Sequence, residues 1–120
     1  MDTTYFGRSF GVMVFKDSIT GKILFMQYVK YETNNLYLSG IKEITRRGIS
    51  IQSIVCDGRK GLFQLFNDIP VQMCQFHQIQ IVTRYLTRKP KNAASIELRA
   101  IALSLTNSSR TQFENQLIQW

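Results

Sequence analysis

The chain has 120 residues, 44% of them apolar, and a net charge of +7. That length suits one domain at most, and a chain of this size buries roughly two-thirds of the surface it exposes when unfolded. No stretch approaches the roughly 20 apolar residues of a membrane span, and residues 1–10 lack the charged-then-apolar layout of a secretory signal, so the expectation is a soluble, cytoplasmic protein with no membrane partner.

The predicted elements run as follows. Residues 2–6, 10–16 and 22–31 are rich in strand formers, and Asp17-Ser18-Ile19-Thr20-Gly21 between the second and third reads as a hairpin turn. Thr33 or Asn34 can cap a helix running to Arg47, with Leu36, Ile41 and Ile44 on its inner side and Gly48 as its stop. Residues 49–56 alternate and then turn wholly apolar, which predicts a buried parallel strand ending on Asp57-Gly58. A short amphipathic helix is expected over 60–67, a fifth strand over 71–76, and a helix opened by His77 and broken at Pro90. Residues 92–106 and 109–120 are helical in pattern and carry more apolar surface than free-standing helices should. The order is βββαβαβ followed by helices. It calls for an α/β fold with a mixed sheet, in which the strand ending at Asp57 runs parallel to the first.

Few residues are placed to carry chemistry. Asp2 lies on the first strand and Asp57 at the end of the fourth. If those strands are neighbours, the two carboxylates can converge, and oxygen donors on a rigid sheet suit a hard divalent cation. Taken alone, Asp57-Gly58 most often marks a strand-to-helix turn with a helix cap. Cys74-Gln75-Phe76-His77 forms a C-x₂-H unit; two ligands do not close a tetrahedral zinc site, and zinc is not expected. The two cysteines, Cys56 and Cys74, are too few for a disulfide scaffold. Charge distribution says more than net charge, which suits nucleic acid, acidic lipid and acidic protein alike. No acid falls between Asp68 and Glu97, yet Arg84, Arg88, Lys89 and Lys91 cluster there, as a phosphate-contacting patch or a solvated helix end.

Taken in order, Asp2-Thr3-Thr4-Tyr5-Phe6, Arg47-Gly48, Ile54-Val55-Cys56-Asp57-Gly58-Arg59-Lys60-Gly61-Leu62 and Pro70-Val71-Gln72-Met73-Cys74-Gln75-Phe76-His77 resemble the catalytic domain of Mutator-type bacterial insertion-sequence transposases. The resemblance covers essentially the whole chain. It implies an RNase-H-like mixed sheet over residues 1–90 and the start of a helical insertion subdomain over 91–120. Asp2 and Asp57 would be the first two acids of a DDE site holding Mg²⁺ or Mn²⁺, and Cys74 and His77 the family's C-x₂-H signature. The third acid, a Glu, lies beyond the insertion in that family, and neither Glu97 nor Glu114 is assigned its role. The implied parent cleaves and joins DNA at transposon ends and target as a homo-oligomer, acting at the bacterial nucleoid. The chain alone is expected to be inactive, an interfering DNA-binding or assembly fragment, or a non-functional remnant.

Overall fold

The computed structural model describes residues 1–120, which divide into two compact units, Met1–Met73 and Cys74–Trp120. The fold is mixed α/β. In the first unit β1 (Asp2–Phe6), β2 (Phe10–Lys16) and β3 (Ile23–Val29) form an antiparallel meander, followed by α1 (Asn34–Arg46), β4 (Ile54–Cys56) and β5 (Val71–Met73). The second unit holds α2 (Gln75–Leu86), α3 (Ala93–Ser104) and α4 (Arg110–Gln119). None of the helices is long and apolar enough to cross a membrane. Residue 90, where the sequence suggests an insertion begins, lies between α2 and α3 inside the second unit.

Register assigns the meander two unlike faces. Thr3 pairs with Met13 and Met13 with Gln27, while Thr4 pairs with Val12 and Val12 with Tyr28; successive side chains alternate, so the two rows face opposite ways. The inner row is closed by α1. Met13, Phe15 and Val29 from the sheet pack with Tyr37, Ile41 and Ile44 from α1, and with Ile54, Cys56, Leu62 and Phe66 from the segments that follow. Thr33 caps α1 by accepting from Leu36 N at 3.2 Å. Gly40 lets the helix approach the sheet closely, because a Cβ there would sit 2.2 Å from the tip of the Phe15 ring. The outer row is exposed: Phe6, Phe10, Met26 and Tyr28 all leave 40% or more of their surface open.

Three expectations need correction. The strands form two sheets, β1–β2–β3 and the parallel pair β4–β5, rather than one continuous mixed sheet. Of residues 49–56 only Ile54–Cys56 is strand. The cause is the shortness of β5, which supplies three ladder partners, with Pro70 O accepting from Ile54 N at 2.9 Å as the first contact. Ile49 and Ile51 still pack against the core, so their alternation reports burial without pairing. Residues 60–67 form turns with a single 3₁₀ turn at Phe63–Leu65. Eight residues are too few to offset the cost of helix nucleation, yet Leu62 and Phe66 are both buried.

The helical unit is thinly covered. Ala102 is its one buried apolar residue, while Phe76, Tyr85, Ile96 and Ile118 are more than half exposed. Asn92 caps α3 and a Ser109–Gln112 capping box opens α4. Trp120 donates its indole N–H to Ala94 O at 2.8 Å, fastening the end of α4 beside the start of α3. Helix α2 ends before Pro90, at Thr87, whose φ of 66° is a left-handed value that a β-branched residue rarely adopts.

Candidate metal and nucleic-acid site

A hydrogen bond links Met1, just ahead of β1, to β4: the Met1 amino group donates to Val55 O at 2.8 Å. The direction of the two chains follows from their neighbours. Met1 and residues 49–55 line one cavity of about 550 Å³ together with Lys16 and Asp17. Further on, the Tyr5 hydroxyl accepts from Glu32 N at 2.8 Å, and Arg59 Nη2 donates to Glu32 O at 2.9 Å. Both β1 and β4 therefore lead from the residues around this cavity toward Glu32, although they belong to separate sheets.

Asp2 is exposed on the outer face of β1 and accepts from Thr3 N at 2.8 Å. Asp57 is half-buried just past β4, and its carboxylate accepts from Arg59 N at 3.2 Å, the local turn that the Asp-Gly pair suggests.

Behind these aspartates stands a polar network that sequence reasoning misses. Arg59 donates Nε to Asn34 Oδ1 at 2.8 Å and Nη2 to Glu32 O, and its Nη1 lies 3.5 Å from the Glu32 carboxylate. Asn34 in turn donates to Lys60 O at 3.0 Å. The Tyr37 hydroxyl bonds to Glu32 and meets the Thr3 hydroxyl at 2.8 Å. Burial, and then the hydrogen bond to Glu32, push the Tyr37 hydroxyl far above its usual range, and the charge of Asp57 adds to the effect. Apart from Glu32 and Tyr37, five residues apart, the partners lie 25 to 34 residues apart in sequence, and the available signal was Tyr37 itself, one helical turn from Ile41 and two from Ile44.

The remaining candidates belong to the second unit. Cys74 is half-buried at the N-cap of α2, with its side chain making no cap bond. The helix opens at Gln75 rather than His77, which sits half-buried in the first turn with its ring edge-on to Phe76 at 5.7 Å. Neither unit groups three His, Cys, Asp or Glu side chains closely enough to hold a metal ion. Arg84, on the last turn of α2, and Arg88, Lys89 and Lys91, on the connection to α3, are all exposed, and none is in an ion pair. Glu97 lies on α3, and Glu114 on α4 is held by Arg110 at 2.7 Å.

Compared with protein-family models, curated proteins and solved structures, the chain matches none.

Proposed function

We propose that Met1–Met73 is the strand-borne part of a DDE-type DNA transposase core. In this reading the fold is RNase-H-like, as in the Mutator-type bacterial insertion-sequence enzymes. The observation that supports the reading is the bond from the Met1 amino group to Val55 O, with Asp2 next to Met1 on β1 and Asp57 just past β4. Two carboxylates there are the oxygen donors that Mg²⁺ or Mn²⁺ takes, and such ions keep several waters. Asp2 and Asp57 would hold the metal, which when bound supplies an activated water or 3′-hydroxyl and charge stabilisation at a phosphodiester. Arg59 and Asn34 would keep the Asp57 turn in place.

The whole enzyme would act as a homo-oligomer on transposon ends and target DNA in the bacterial cytoplasm. Two carboxylates fall short of the ligands needed to fix two ions against a scissile phosphate, so these 120 residues should bind Mn²⁺ weakly and cleave nothing by themselves. The test is Mn²⁺ uptake followed by electron paramagnetic resonance. Uptake should fall in Asp2→Asn and in Asp57→Asn alike; uptake unchanged in both variants overturns the reading. Metal-dependent nicking that Asp57→Asn abolishes would correct its second half, and would assign Glu97 or Glu114 as the third acid.

A second reading, a DNA-binding or assembly fragment that interferes with an intact enzyme, is favoured by one observation: the exposed, unpaired cations Arg84, Arg88, Lys89 and Lys91.

A further inference from the structure

The outer face of the meander carries a row of rings. Phe6 pairs with Phe10 across β1 and β2, their rings stacked at 5.5 Å and 22°, and Phe10 meets Tyr28 of β3 edge-on at 5.7 Å. All three are exposed, Tyr28 by 73%. Cations border the row. Arg8 stands at the tip of the β1–β2 turn. Lys30 follows Val29, the partner of Gly11, and so continues the Phe6–Phe10 row. Both are exposed and neither is in an ion pair, although Lys30 rests 5.6 Å over the Tyr31 ring. Asp2 is the one acid on this face of the strands; it lies four residues along β1 from Phe6, about 13 Å at strand rise.

We infer that this face is a stacking platform for single-stranded nucleic acid. Exposed rings on a sheet offer flat surfaces to unpaired bases, and flanking cations meet the phosphates between them. A duplex keeps its bases stacked on one another and has none to offer. A second copy of this chain would bring an equal charge of +7 and set cation borders against each other, whereas a polyanion complements them. The inference stands apart from the assignment of Asp2 and Asp57 as metal ligands, and its test contains no metal.

The experiment is fluorescence anisotropy of a labelled oligothymidylate with the full chain in EDTA, beside a duplex of the same length. Phe10→Ala and Tyr28→Ala should each weaken single-strand binding about fivefold or more. Phe10→Tyr should retain it, and Phe10→Leu, which keeps apolar bulk without a ring, should lose it as alanine does. Arg8→Ala with Lys30→Ala should flatten the log–log salt slope by roughly 1.4 units, the single-strand value for two phosphates. Because these side chains are exposed, circular dichroism should show every variant folded. Affinity unchanged in Phe10→Ala, or retained in Phe10→Leu, overturns the proposal. So does a concentration-dependent dimer in sedimentation that Phe10→Ala dissociates.

Discussion

Replacing Arg59 with alanine tests whether the network behind Asp57 holds the loop that carries it. The guanidinium makes two hydrogen bonds of 2.8 and 2.9 Å and one ion-pair contact of 3.5 Å. Charge-assisted bonds contribute about 1.5–3 kcal/mol apiece when well desolvated. Here Arg59 is 35% exposed, the three contacts share one rigid group, and Glu32 keeps the Tyr37 hydroxyl when Arg59 is gone. Discounting for solvent screening and overlap leaves a loss of about 2 kcal/mol. With a urea m-value of about 1–2 kcal/mol per molar, the unfolding midpoint should fall by roughly 1–2 M. Arg59→Lys should recover less than half, since an ammonium cannot place three directed contacts as the planar fork does. Amide exchange should quicken over residues 57–61 and stay unchanged in β2. A midpoint shift of less than about 0.3 M, or a lysine variant as stable as the parent, would refute the reasoning.

Gly40→Ala should destabilise the chain by about 1–2 kcal/mol, because a helix-propensity gain of about 1 kcal/mol is outweighed by overpacking against Phe15; urea unfolding measures it, and Phe15→Leu placed in the same chain should recover most of the loss. The Glu43 carboxyl is held down to about 2 by hydrogen bonds from Arg46 and then Arg47, so its NMR titration should have a midpoint near that value. With its folded pKa depressed, its contribution to stability is complete above the ordinary carboxylate range and lost as pH falls through about 2; Glu43→Gln should remove that part of the pH dependence. Arg88→Ala with Lys89→Ala should flatten the salt slope of duplex binding by roughly two units if both touch phosphates, and leave affinity and slope unchanged if they only solvate the α2–α3 connection.

Local pattern carried much of the first unit. The meander and α1 were legible to within a few residues, because alternation, an Asp-to-Gly hairpin turn and a Thr33 cap each have a local physical cause. Residues 49–53 were misjudged, since Ile49 and Ile51 alternate as a strand would but have no neighbouring strand to bond. Periodicity senses which side chains are buried and is blind to whether a backbone partner exists. At the site, Asp2 and Asp57 stood out by their place on strands. Arg59, Glu32 and Asn34 did not, because a network that links three separate segments leaves no spacing to read. Tyr37 was missed for another reason: an aromatic residue with a hydroxyl looks like a surface position until Thr3 and Glu32 are seen to satisfy it.

The bond from Met1 to Val55 O is made by a backbone nitrogen. A peptide N–H at that position has a proton to direct at the same carbonyl, so a residue fused ahead of Met1 would exchange a terminal charge for an amide dipole and keep the junction. It would also run alongside residues 49–53, whose backbone groups have no strand beside them. Extended sequence added there can pair with that segment as an edge accepts a new strand. An affinity tag at this end is therefore not a neutral handle: it is positioned to lengthen the sheet, and tagged and untagged chains should differ in the exchange rates of residues 49–53.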